Sequence, residues 1–521
     1  MGAQVAEVEK PFDSARVVLE SLVDKLQSGD AMALSHADVE RMIDVEGREI
    51  LRRLLQDHIA LRAQGQVNEV VKGEDGVVRP HIRTNTRALE SIFGTVSVER
   101  IGYHARGYST LFPLDAALNL PLTLYSHGVE RRIASLAARM SFEAALTEVG
   151  ATTGAVVPKR QAEEIAVRAA VDFDAFYSER EKAALQWNTS GLVVLTTDGK
   201  GVVMRTEDLR EATQEAASTR EHKLRKRLSK GEKRNAKRMA TVAAVYTQAP
   251  LVRTTDDIID ELRGVKRPDR PKQKRPRPEN KRVWASLERS MEDVIEEAFT
   301  EGLRRDPLRE KTWVAVVDGN KTQLDLLRQA ARRHRIDLTI IMDVIHVLEY
   351  LWKAARVFNA EASPEAEEWV NERFRRVLEG KASQVAAGIR RSATKRGLTE
   401  DARKAADKCA GYLHKHQQYL EYDVYLAAGY PIASGVIEGA CRHLIKDRMD
   451  ITGARWSLQG AEAVLRLRAL HASDDFDAYW AFHERREQES NHDVRYADNS
   501  PPAVNYPQIR PAGRPKLRLV K

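Results

Sequence analysis

Three apolar runs in this 521-residue chain end in an aspartate: LVVLTTD at Asp198, WVAVVD at Asp318 and LTIIMD at Asp343. A carboxylate at the end of a buried strand is held rigidly at the sheet edge, within reach of water and cations. Mg²⁺ prefers oxygen ligands and keeps several waters, so two or three carboxylates suffice to bind it. Two such ions about 4 Å apart clamp the attacking and leaving oxygens of a phosphoryl transfer. A lone strand-end aspartate is more often a turn former, but several in one sheet favour metal binding. A further ligand is expected from a helix that passes the sheet edge. Glu438 fits, because it lies in the first turns of a helix starting near Ser434-Gly435, where negative charge suits the dipole. The alternative is a surface ion pair with Arg442, four residues on. Spacing alone does not separate Glu438 from Glu421 or Asp447.

Asp343 and His346 occupy the stretch DVIH. They suit an accessory role beside the site, positioning a metal-bound water or contacting a nucleic-acid strand. In the structural alternative Asp343 caps the next helix and His346 packs against it.

Two basic runs point to a polyanionic partner. KLRKRLSKGEKRNAKR (223–238) contains Lys223, Arg225, Lys226, Arg227, Lys230, Lys233, Arg234, Lys237 and Arg238 against a single glutamate. RGVKRPDRPKQKRPRPENKR (263–282) adds ten basic residues and four prolines, a composition that predicts an extended arm. Such runs bind phosphates strongly and with little regard to base sequence; otherwise they are solvated loops. Arg442 and Arg455 extend the candidate DNA-contacting set. Trp456, in GARWS, either stacks on an unpaired base or packs in the core. Two cysteines, Cys409 and Cys441, are too few for a disulfide framework, which suits a reducing cytosol. With no C-x-x-C pair, structural zinc is not expected.

Strand-like runs at 192–198, 201–206 and 239–247 come first. An amphipathic helix carrying Val283, Leu287, Met291, Val294, Ile295, Ala298 and Leu303 follows. Then come strand 313–318, a helix over 320–335, strand 338–343 and a helix with Val347, Leu351 and Ala355. The first three strands can form an antiparallel meander, while the later ones need crossover helices and lie parallel. This is the element order of a ribonuclease-H-like mixed sheet in a multidomain α+β chain. The expected layout is helical to residue 65, a small β region at 66–110 and helices at 111–187, the last compatible with a helix-turn-helix. The core would span 188–358 with basic loops at 207–238 and 255–282. A helical insertion (359–430), core helices carrying Glu438 (431–487) and a poorly ordered basic, Pro-rich tail (488–521) complete it. The net charge of +8 agrees with a nucleic-acid partner. No secretory signal or membrane span is expected, which predicts a cytoplasmic, nucleoid-associated protein.

The block SGVIEGACRHLIKDRMDITGARWSLQGAEAVLRLRAL (434–470) resembles the third-carboxylate region of bacterial insertion-sequence transposases of the DDE class. The group it is most similar to is the Kra type, whose layout is like that of the Mutator superfamily. VVLTTDGKGV and VAVVDGNKTQ look like the first two acidic motifs, and DVIH resembles the D/C-x-x-H element between the second Asp and the Glu. FGTVSVER, the PLD at 113–115 and SFEAALTEVG (141–150) also fit. The resemblance runs from about residue 85 to 475. It implies a catalytic triad of Asp198, Asp318 and Glu438 holding Mg²⁺ or Mn²⁺, in two ions. It further implies double-stranded DNA as partner (element ends and target) and at least a homodimer on that DNA. The rival functions are a non-catalytic DNA-binding regulator derived from a transposase and a structure-selective nuclease on the same fold. The 120 residues between Asp198 and Asp318 exceed what a compact core needs, and the basic segments account for the excess.

Overall fold

The computed structural model describes residues 11–182, 191–218, 236–265, 274–451 and 453–506. The chain divides into two compact units, residues 1–172 with 477–521, and residues 173–476.

In the first unit, helix His36–Ala63 is capped by the Ser35 side chain and packs on a hairpin of strands His81–Ser91 and Gly94–His104. Leu55 and Ile59 of the helix meet Leu89, Val96 and Val98 of the hairpin. Helices His127–Ala137, Phe142–Thr152 and Lys159–Arg168 enclose a second core of Val129, Ile133, Val149, Ala162 and Ile165. The chain returns to this unit at its end. Tyr479 donates to the Ala169 carbonyl (2.7 Å), and strand Val504–Asn505 pairs with Gln66–Val67. The tail is therefore ordered as far as 506, contrary to expectation. Tyr496 is buried with Val71, Tyr103 and Leu111, so apolar contact outweighs the local Pro and basic content. Residues 507–521 lie outside the described residues.

The second unit is built on a five-stranded mixed sheet: β1 (Leu192–Val203), β2 (Lys237–Gln248), β3 (Glu279–Ser286), β4 (Thr312–Val317) and β5 (Leu338–Met342), in the order β3-β2-β1-β4-β5. β1–β2 and β2–β3 are antiparallel, whereas β1–β4 and β4–β5 are parallel. Helices α1 (Met291–Arg305), α2 (Lys321–His334) and α3 (Val344–Phe358) follow β3, β4 and β5. A helical segment comes next: α4 (Pro364–Leu378), α5 (Ala382–Lys395), α6 (Glu400–Lys415) and α7 (Tyr422–Ala427). Then come α8 (Gly435–Ala440), a π-helical segment Cys441–Lys446, and α9 (Leu458–Ala472).

Two elements differ from the sequence expectation. The runs 192–198 and 201–206 form one strand to Val203, because β2 pairs with it continuously from Gln248 to Lys237. Gly199-Lys200 favours a turn locally, but twelve antiparallel pairs override that preference. The predicted helix around Val283 is instead strand β3, in which Val283, Trp284, Ala285 and Ser286 are consecutively buried. A strand covered on both faces shows no alternation, so the match of Val283 with Leu287 at helical spacing was fortuitous. The true helix starts after Ser290, whose side chain forms a capping box with Asp293.

The basic loops are also more structured than expected. Helix Thr255–Arg263 occupies the start of 255–282, and Lys237 and Arg238 belong to β2. Arg282 is buried in β3 and paired with Glu301 (2.9 Å) and Glu297 (2.5 Å). No helix among the described residues is long and apolar enough to cross a membrane.

Helix α1 lies against the sheet through Gly302, where an added Cβ would overlap the buried Trp313 ring. Gly302→Ala should therefore lower unfolding free energy by about 1–3 kcal/mol through overpacking, measured by urea denaturation.

Candidate metal and phosphoryl-transfer site

Strand register sets the level of the three aspartates. Leu192 lies opposite Thr312, an offset of 120 residues, and Asp198 stands 120 residues before Asp318. Continued past the last pair, that register would set Asp198 against Asp318 across β1 and β4. Val317 pairs with Met342, so Asp318 and Asp343 are the residues that follow that pair on β4 and β5. Pairing of β1 with β4 ends at Leu195–Ala315, and past that point the strands diverge. Gln323 of α2 bridges the gap: its amide Nε2 donates to the Thr197 carbonyl (2.7 Å) and to Thr197 Oγ1 (2.6 Å). A buried side-chain amide thus replaces the missing strand partner next to Asp198, while its Oε1 is buried with no hydrogen-bond partner.

Asp198 is half-buried, and its Oδ1 accepts from the Gly199 N–H (2.6 Å). Its Oδ2 accepts from the Cys441 thiol (3.1 Å). Asp318 starts the turn into α2. Its Oδ1 accepts from the Asn320 N–H (3.0 Å), Gly319 takes the left-handed φ of +95°, and Asn320 caps the helix. Tyr412 of α6 donates to the Asp318 carbonyl (3.1 Å). Its ring stacks on Tyr350 with centroids 4.2 Å apart.

Asp343 is fully buried and structural. Its Oδ1 accepts from the Ile345 N–H (2.7 Å), capping α3, and its Oδ2 accepts from both the N–H (2.9 Å) and hydroxyl of Ser434. Both oxygens are thus engaged in capping α3 and in holding Ser434, the arrangement of the capping alternative. Through Ser434 this carboxylate also fixes the residue from which α8 departs. His346 is half-buried in the first turn of α3, with Nδ1 3.9 Å from Glu349.

Glu438 lies on α8, which packs on β1 and β2. Leu192 and Val194 of β1 and Tyr246 of β2 meet Tyr430 and Val436, so this is the face of β1 that also carries Asp198. The carboxylate is exposed and forms no hydrogen bond or ion pair among the described residues. Arg442 reaches Asp447 (3.7 Å), which removes the surface-pair alternative for Glu438. Partial burial holds the Glu438 carboxyl above the ordinary range, and the Asp343 charge adds to this. Protonated His346 opposes the shift, and Glu349 and Asp198 reinforce it.

No group of three His, Cys, Asp or Glu side chains among the described residues is arranged to hold a metal ion. The register runs towards Asp198 and Asp318, and Glu438 feels the charge of Asp198, but the three do not converge on a single point.

No family model matches the chain, and no curated protein does. Among solved structures the chain is similar to the Drosophila P element transposase strand transfer complex, at 10% identity over 72% of this chain and 82% of that chain. The TM-score is 0.24, a likeness too slight to carry any argument about activity.

The DNA-contacting candidates divide. Lys223, Arg225, Lys226, Arg227, Lys230, Lys233 and Arg234 lie outside the described residues. Lys237, Arg442 and Arg455 are exposed. Arg238 is half-buried and donates to the Leu287 (2.9 Å) and Asp208 (3.2 Å) carbonyls, so it braces β2. Trp456 is buried, and its indole N–H donates to the Met449 carbonyl (3.1 Å) while its backbone pairs with Val203 and Arg205. It is a packing residue and does not present a ring for base stacking. In the first unit, helix Phe142–Thr152 exposes Glu143 and Glu148, which gives it no basic face for a groove.

Sequence reading missed Gln323, Ser434 and Tyr412 as contacts of these carboxylates, and weighed Cys441 only for a disulfide or zinc. Gln323 lies in GNKTQ and Ser434 and Cys441 in SGVIEGAC, but the atoms they bond belong to distant segments. Asp343→Ala strands the Ser434 and Ile345 N–H groups and should cost about 3 kcal/mol, read from chemical denaturation. Glu438 behaves differently. A raised folded pKa adds stability below the unfolded value, about 4.3, and loses it as pH rises through the folded value. Glu438→Gln should therefore raise Tm at about pH 7–8 and leave it unchanged near pH 4, in melts without divalent cations.

Proposed function

We propose that this chain is a DDE transposase that cuts DNA strands at the ends of its element and joins the freed 3′ ends to target DNA. The observation that carries the reading is the sheet: in the order β3-β2-β1-β4-β5, neighbouring parallel strands run towards Asp198 and Asp318 in one register, and the Glu438 helix covers the Asp198 face. The mixed five-stranded order suits a ribonuclease-H-like core, with the helices α4–α7 between the sheet and Glu438. The 434–470 block, similar to the Kra-type insertion-sequence group, agrees with it.

The residues suit Mg²⁺ or Mn²⁺. All three carboxylates are hard oxygen donors. Burial first, and then the neighbouring negative charges, raise the Glu438 pKa; a cation would offset the charge part, and the buried Gln323 Oε1 offers one further acceptor. When bound, a pair of such ions supplies Lewis acidity and a clamp on the attacking and leaving oxygens. Asp198, Asp318 and Glu438 would hold it. Gln323 braces β1 next to Asp198, and Asp343 aims the Glu438 helix through Ser434. Exposed Lys237, Arg442 and Arg455, with the basic 223–234 segment, would take the phosphates of double-stranded DNA. Bringing two element ends together requires at least two copies of the chain.

A strand cleavage and joining assay on DNA flanking the gene, with Mg²⁺ or Mn²⁺, tests this. Joined products should form with the wild type and vanish with Asp318→Asn and with Glu438→Gln. Cleavage without joining would favour the nuclease alternative. DNA binding with no metal-dependent chemistry, unaltered by either substitution, would leave a DNA-binding regulator.

A further inference from the structure

Cys441 sits where the α-helix that carries Glu438 changes to a π-helical segment, Cys441–Lys446. Such segments are rare and tend to occur where a helix re-aims side chains. Glu438 and Cys441 are three residues apart and so share one helix face. That face is turned to β1, and the buried Cys441 thiol donates to Asp198 Oδ2 at 3.1 Å. Gly199 N–H occupies Oδ1 from the other side at 2.6 Å. Each oxygen keeps a second lone pair for a cation, and the carboxylate plane is set by two donors.

We propose that Cys441 is a positioning residue for Asp198, its S–H orienting the carboxylate so that the remaining lone pairs face the site; this rests on the metal-dependent reading above. A thiol is a weak donor, so its effect falls on the orientation of Asp198 and little on global stability. It also links two carboxylates that the sheet does not link. Glu438 and the donor that holds Asp198 ride on the same helix, so the distance between the first and third acidic elements depends on one short stretch of backbone. Outer donors of this kind typically change metal affinity by 10–100-fold when removed.

Two measurements on the full chain test the assignment without using activity. The first is Mn²⁺ binding in the absence of DNA, followed by electron paramagnetic resonance. Cys441→Ala should weaken binding on the order of tenfold, Cys441→Ser, which retains a donor, should restore most of it, and Asp198→Asn should abolish it. The second is the infrared S–H stretch. The chain has two cysteines, so buried Cys409 serves as an internal reference. The Cys441 band should lie at lower frequency, as expected for a thiol bonded to a carboxylate, and return towards that of Cys409 in Asp198→Asn. Wild-type Mn²⁺ affinity in Cys441→Ala, or a Cys441 band that ignores Asp198→Asn, would overturn the proposal. If Asp198→Asn itself binds Mn²⁺ as the wild type does, the metal reading fails, and with it the role given to the thiol. A responsive S–H band in that case separates this outcome from a misplaced Cys441. Should Cys441→Ala not fold, the serine variant and the infrared band still decide.

Discussion

One buried carboxylate organises the unit built on the five-stranded sheet. Asp343 ends β5, caps α3 and holds the backbone and hydroxyl of Ser434, ninety-one residues away. A carboxyl group that deep is tolerable only when its oxygens are met by hydrogen-bond partners, and here three donors meet two oxygens. The arrangement has little freedom, because moving Ser434 would strand a buried polar group. Helix α8 starts at that point, so the direction of Glu438 follows from the solvation needs of a residue that does not itself face solvent.

The helices α4–α7 serve the same end. Tyr412 donates to the carbonyl of Asp318, and Tyr422 donates to that of Met342 (2.8 Å), so α6 and α7 satisfy main-chain acceptors where β4 and β5 run out of strand partners. Gln323 does likewise for β1 beyond Leu195. Parallel strands diverge at their ends, and their freed carbonyls need donors if they remain buried. Here side chains supply those donors, which fixes the backbone at the strand ends.

Charge is distributed to match. The Glu438 side of the site is crowded with carboxylates, with Asp343, Glu349 and Asp198 all acting on it. Basic residues close to the sheet divide into those consumed internally, such as Arg238 and Arg282, and those that remain exposed, such as Lys237 and Arg455. A count of basic residues in a run cannot make that distinction.

The sequence by itself determined roughly where the strands lie and that three of them end in a carboxylate, because buried parallel strands need unbroken apolar runs and those runs end visibly at Asp198, Asp318 and Asp343. It also placed the helices that interrupt the sheet. It misread β3 and the break in β1 because local pattern carries no information about the partner strand, and it was the pairing with β2 that decided both. It took Arg238 and Arg282 as phosphate-binding groups and left Trp456 open between stacking and packing, because residue type does not reveal which carbonyl, carboxylate or ring lies opposite. The division of roles between Asp343 and Glu438, the bridge by Gln323 and the thiol at Asp198 depend on contacts between residues roughly 90 to 240 positions apart. Hydrogen bonds act over about 3 Å in space and leave no periodicity in the chain, so only the tertiary structure could assign them.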